Sequence, residues 1–216
     1  MIRKQSRGCS KLFYAIATEA EDGTLTFGTP KQFAIVKSIS RTMEQPSEKI
    51  HGDNYLVDEV FGGTTASRTF EVIGVGADIE AEVLGNTIVK VGDEANPILT
   101  STAPSGANKP FVAFGYALHD GDADNPKELV WLYKCKVNSI SKTASTIDEG
   151  TTSEGQSVEI TAYTPRKKWT KTNRRELDLV ASRLANETQM ALWYEGEWFE
   201  KVITPDNAET ELSFAN

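Results

Sequence analysis

Histidine and cysteine are scarce in this chain, with two of each in 216 residues. That scarcity removes most metal chemistry. A closed Cys/His zinc site would need Cys9, His51, His119 and Cys135 together, and their spacing fits none of the usual pairwise patterns. A Cys9–Cys135 disulfide is one option, but two free thiols in a reducing cytosol is the reading taken. Apolar runs are short as well. No stretch approaches the ~18 residues of a membrane span, and no charged, apolar and small-residue leader opens the chain. The expectation is a soluble protein made without export. Internal repeats, low-complexity tracts, a Walker motif and a G-x-S-x-G elbow are all missing.

What is present is glycine (16), abundant Thr and Ser, and a formal charge of −8. This composition suits one large, loop-rich β domain. The chain is organised around residues 47–85, which read as a strand, a long loop, a second strand and a short helix closed by glycine. Phe70 and Val72 alternate with Thr69, Glu71 and Ile73 in a strand over 67–73. Gly74 and Gly76 break it. Ile79, Val83 and Leu84 then form a narrow helical stripe, with Asp78 expected as N-cap, Glu80 and Glu82 in the first turn and Gly85 as terminator. Residues 12–18 read as a strand apolar on both faces, with 24–27 pairing back on it. Residues 32–43 alternate, placing Ile35, Lys37 and Ile39 on one side. Pro46 lies in a turn that leads to a loop over 54–65. A short strand follows at 87–91, then a long polar loop over 92–110. The strongest strands are 111–118 and 128–139. Residues 155–164 form another, 176–184 lean to strand, and 188–203 have roughly helical spacing. The expected fold is mainly β: a two-sheet antiparallel sandwich or barrel of eight to ten strands, with a short flanking helix near 77–84 and a C-terminal helical segment. A single domain spans 1–216, with flexible arms at 1–10 and 204–216.

Catalytic constellations are thin. Asp120, Asp122 and Asp124 match the first positions of a calcium loop, but Asn125 replaces its glycine and Trp131 its closing acid, so a solvated turn is the simpler reading. Gly74-Val75-Gly76 lacks the third glycine of a dinucleotide fingerprint, and Ile79 stands in its place. Arg166, Lys167, Lys168, Lys171, Arg174 and Arg175 surround Trp169. Such a cluster serves nucleic acid, a neighbouring subunit, or nothing beyond solvent. No enzyme activity and no cofactor is expected.

The order of segments resembles the major tail (tail tube) proteins of long-tailed bacteriophages of Gram-positive bacteria. The carriers are LFYAIATEAEDGTLTFGTPKQF, HGDNYLVDEV, TFEVIGVGADIEAEVLGN, KPFVAFGYAL, ELVWLYKCKVNSIS, SVEITAYTPR and EGEWFEKVI. The resemblance implies a virion tail protein made in the host cytoplasm. Six copies would close into a ring, and rings would stack into a tube that conducts double-stranded DNA without reading its sequence. Tape-measure, tail terminator and baseplate proteins would be its partners, with no membrane insertion. Lumen-facing acids are sought at Asp58, Glu71 and Glu159. Inter-subunit contacts are sought at Met43, Glu44, Gln45, Pro46, Asn54, Tyr55 and Phe61, and at Arg166, Lys167, Lys168, Trp169, Arg174 and Arg175. The alternatives are another tail component, such as a completion or baseplate hub protein, and a carbohydrate- or nucleic-acid-binding β-sandwich.

Overall fold

A computed structural model describes residues 8–92, 98–102, 109–121, 125–143, 155–182 and 187–214. The first seven residues of the expected N-terminal arm lie outside these, as do most of the 92–110 loop, Asp122 and Asp124. Among the described residues there are twelve strands and four short helices. The strand periodicity of the sequence is realised in a mainly β, antiparallel molecule.

Six strands close a barrel. They are β1 (Gly8–Glu19), β3 (Lys31–Glu44), β6 (Thr65–Ile73), β9 (Phe111–His119), β10 (Glu128–Lys142) and β11 (Gln156–Tyr163). They pair in the order β1-β3-β6-β11-β10-β9 and back to β1, every pair antiparallel. Closure removes the exposed edges an open sheet would carry. The long β10 makes it possible by turning a corner. Its first half pairs with β9 and with β12 (Asp178–Ser182), and its second half pairs with β11. A three-residue strand, β2 (Leu25–Phe27), pairs back on β1 as expected.

Inward side chains fill the barrel, among them Leu12, Tyr14, Phe33, Phe70, Val72, Phe114, Leu132 and Ile160. The helix α1 (Ala77–Leu84) seals one end, with Val75 and Val83 in the core and Ile79 and Leu84 packed beside them. It starts at Gly76 without a side-chain cap, so Asp78 is a first-turn acid and not the expected N-cap; Gly85 ends it at φ 73°. Tyr14 donates to Glu82 at 2.7 Å, Lys31 meets the same carboxylate at 3.0 Å, and Lys142 pairs with Glu80.

A second core lies outside the barrel, on β1, β9 and the first half of β10. Ala15, Ala113, Ala117, Leu129, Trp131 and Tyr133 pack there against α2 (Glu187–Glu195) and α3 (Glu197–Glu200). Residues 204–214 dock on this layer through the short helix α4 (Ala208–Glu211), buried Leu212 and a 2.8 Å bond from Trp193 Nε1 to the Ser213 carbonyl. These strands are therefore buried on both faces, which is why 12–18 reads as unbroken apolar sequence.

Three further expectations fail. The stretch 92–110 is not all loop, since β8 (Ile98–Thr102) pairs there with the expected strand β7 (Thr87–Val91). Ile35, Lys37 and Ile39 do not share a side. The β3–β6 register shifts between Val36 and Ser38, so Val36 and Ile39 pack on the core while Ile35 is 64% exposed. An extra residue in one strand flips the alternation beyond it. Likewise, 54–65 is no loop: β4 (Ser47–Gly52) and β5 (Tyr55–Phe61) form a hairpin.

Candidate functional site

Three surface features stand out once the barrel is in place. The first is the hairpin β4–β5. Glu44 and Thr65 are the last pair of the β3–β6 ladder, and Ser47 and Phe61 open the next, so the hairpin prolongs two barrel strands beyond the rim. Strands of six and seven residues at ~3.3 Å per residue carry its tip about 20 Å outward. Asp53 and Asn54 form the turn with φ 49° and 67°, the doubly positive pair of a two-residue hairpin. Cross-strand pairs share a face, which puts Glu48, Ile50, Tyr55, Asp58 and Val60 on one side of the arm. Ser47, Lys49, Leu56, Glu59 and Phe61 lie on the other. Apolar side chains are thus exposed on both sides, Tyr55 at 76%. Among the described residues β4 and β5 pair only with each other.

The expected inter-subunit residues Met43, Glu44, Gln45, Pro46, Asn54, Tyr55 and Phe61 all fall on this arm or its root, and all are exposed. Asp58 belongs here too. It sits on β5, in a different sheet from Glu71 and Glu159.

The second feature is the outer surface of β3, β6, β11 and the end of β10. Ser40, Thr69 and Glu159 lie side by side across three strands, as do Ser38, Glu71 and Ser157, and Thr42, Ser67 and Thr161. Ser139 is the partner of Glu159 on β10 and donates to it at 3.3 Å. No described helix covers this surface, in contrast to the sealed side of β1, β9 and β10. It is a band rich in short hydroxyl side chains and set with two carboxylates, with Lys136 opposite Thr161 and Ile73 beyond Glu71.

The third is a cleft of about 520 Å3 between β2 and the 165–170 segment, closed below by Thr204, Asp206 and Asn207. Leu25, Phe27 and Trp169 supply its apolar wall, and Lys167 and Lys168 stand at its edge. Trp169 packs edge-on to Tyr133 at 4.8 Å and donates to the Glu176 carbonyl at 3.1 Å. Part of the basic cluster is engaged within the chain. Arg166 meets Glu19 at 3.3 Å and the Ala20 carbonyl at 3.0 Å, Lys167 meets Asp22 at 3.2 Å, and Lys171 meets Glu209 at 2.6 Å. Glu19 also pairs with the buried Lys134 at 2.8 Å. Lys168, Arg174 and Arg175 remain exposed, with no ion pair among the described residues.

No family model matches the sequence, and no curated relative matches it. Several solved structures overlap with the fold, three of them as follows. The tube-terminating cap of the anti-feeding prophage gives a TM-score of 0.46 at 7% identity, over 85% of this chain and 95% of that one. The sheath–tube complex of the extracellular contractile injection system PVC gives 0.41 at 8%, over 81% and 90%. The anti-feeding prophage baseplate gives 0.38 at 10%, over 84% and 98%. Overlaps this loose establish neither kinship nor role.

For chemistry, the nearest approach to a nucleophile and base is Ser10 Oγ with His119 Nε2 at 2.7 Å, and Tyr194 Oη lies 2.9 Å from the same hydroxyl. His119 is buried against Tyr194 of α2, away from the cleft. This group ties the start of β1 to the helical layer. Sequence reasoning did not find it, because its members are 109 and 184 residues apart. Among the described residues no three His, Cys, Asp or Glu side chains gather as a metal site. No described helix is long and apolar enough to cross a membrane.

Proposed function

We propose that the chain is a structural virion protein, the major subunit of a phage-type tail tube, in which six copies close a ring and rings stack. The arm carries this reading. A two-stranded hairpin with apolar side chains on both faces is marginal alone in water and gains its burial from another chain. An arm at one place docking at a different place on the next copy makes a head-to-tail contact, and such contacts propagate into rings or filaments. The ordered resemblance to tail tube proteins supports the same reading.

The bare hydroxyl face suits the lumen. Duplex DNA carries one negative charge per ~1.7 Å of axis, and a basic wall would hold it by counterion release. Ser, Thr, Glu71 and Glu159 offer no cation to its phosphates, and Lys136, opposite Thr161 on the same face, has its ammonium over the Phe111 ring at 4.9 Å. We assign Glu71 and Glu159 to the lumen and Asp58 to the arm contact. Tape-measure, terminator and baseplate proteins would meet the ends of such a tube.

Negative-stain microscopy of the concentrated protein tests the proposal. Rings or hollow tubes are expected from the intact chain. A chain in which a short turn replaces residues 47–61 should stay monomeric with its barrel folded. Monomers of the intact chain at every concentration and salt would refute it. Copy number in the particle separates a tube subunit, which is abundant, from a completion or hub protein.

A further inference from the structure

The arm needs a receptor, and the cleft beside β2 has the matching properties. We propose that the β4–β5 arm of one copy docks in the β2 cleft of a neighbouring copy, its strand edge along β2 and its carboxylates under the basic loop. The inference rests on the reading of the chain as a self-assembling subunit and names the two surfaces that join.

Three independent matches carry it. The first is charge. The arm carries Glu48, Asp53, Asp58 and Glu59 against a single lysine, Lys49. At the cleft, Lys168 and the nearby Arg174 and Arg175 are exposed cations whose carboxylate partners are not found among the described residues. Opposite charge of this kind fixes the docking orientation and disfavours wrong partners. The second is backbone. β2 pairs with β1 along one edge and has no other ladder partner among the described residues, while residues 23–27 line the cleft. Adding a strand to such an edge supplies main-chain hydrogen bonds. The third is apolar surface. Tyr55 and Leu56 at the arm's tip are exposed, and the cleft offers Leu25, Phe27 and Trp169. Intramolecular docking of Arg166 and Lys167 onto the 19–23 turn holds this wall in place before any partner arrives.

Two experiments test the pairing. Reversing the cleft (Lys168→Glu, Arg174→Glu, Arg175→Glu) and reversing the arm (Glu48→Lys, Asp58→Lys) should each abolish tubes in pelleting and microscopy. One chain carrying all five changes should assemble again, an outcome that misfolding could not give. Separately, in a Cys9→Ser background, protein with Leu56→Cys is mixed with protein carrying Thr26→Cys and allowed to assemble under mild oxidation. A disulfide between the two different chains is expected. Tubes that form without that cross-link, or that survive either reversal, overturn the pairing and leave the tube reading standing. An intact chain that never assembles overturns both.

Discussion

Gly115 is the residue on which the two cores meet. It faces Trp131 across the β9–β10 pair, and a Cβ at this site would lie 2.8 Å from three atoms of the indole. That ring is fully buried, and its Nε1 donates to the Trp198 carbonyl at 2.8 Å, so it has nowhere to retreat. Gly115→Ala should therefore cost about 1–3 kcal/mol, the usual penalty for overpacking. An unchanged urea midpoint would show that the indole yields. A second residue-scale consequence concerns acid. Hydrogen bonds from Thr24 and Lys167 draw the Asp22 carboxyl down from 3.8 to about 2. Burial pushes Glu19 up, but bonds from Lys134 and the Arg166 backbone outweigh it and leave its pKa lowered. A carboxyl depressed in the folded state stabilises above its ordinary range and loses that contribution as pH falls through the folded value. The grip of the 19–23 turn on the basic loop should thus loosen between about pH 4 and pH 2. Hydrogen exchange of the 165–175 amides, corrected for intrinsic rate, would report it, and Asp22→Asn should already be loose at the top of that window. Gly23, at φ +82° and with its Cβ position 3.1 Å from the Arg166 Cβ, belongs to the same joint and tolerates no side chain without strain.

At the scale of elements, α1 behaves as a lid held by few polar bonds. Tyr14→Phe removes the hydroxyl that reaches Glu82 and leaves that carboxylate with Lys31 alone. A loss of about 1–2 kcal/mol is expected, with faster exchange in α1 and little change in β9 or β10. Equal protection in α1 would mean that Val75 and Val83 hold the helix without help. This helix was readable in the sequence because its stripe, its glycine end and the strand before it lie within twenty residues. Strands β1, β9, β10 and β11 were readable for the same local reason. Of the arm only the first strand was readable; the turn and second strand were not, since Asp53-Asn54 is a less explicit turn than Asn-Gly and exposed Leu56, Val57 and Val60 do not alternate as a half-buried strand does. The bulge in β3 was equally hidden: one extra residue leaves no compositional trace. Of the surfaces, the basic loop and the arm residues were visible as groups. The cleft was not, because Phe27, Trp169 and Asp206 meet only after the chain has folded.

At the scale of the whole molecule, charge is divided between faces. Glu71 and Glu159 mark the bare side, and Glu195, Glu197, Glu200, Glu209 and Glu211 crowd the helical side with Lys201 among them. In a tube, the first pair would matter for passage and the others would not. Glu71→Lys with Glu159→Lys should leave assembly intact and slow DNA release, with the delay shrinking as salt rises. Release at the original rate in a particle built from this variant would place the lumen elsewhere.

The double burial of β1 also dictates when this protein can exist. Ala15 and Ile16 pair with Ala113 and Val112, and the outward face of β1 belongs to a core that draws on residues as distant as Phe199, Ile203 and Leu212. Contacts this distant in sequence form slowly. During synthesis β2 and β3 follow β1 at once, but its other neighbour, β9, and its outer cover come much later. The outward apolar face of β1 lacks the helical layer until residues 187–212 have been made. A truncated nascent chain would present sticky strands in place of a finished subunit. Synthesis of the helical layer is therefore the quality gate: only chains that reach it bury that strand and become eligible for use.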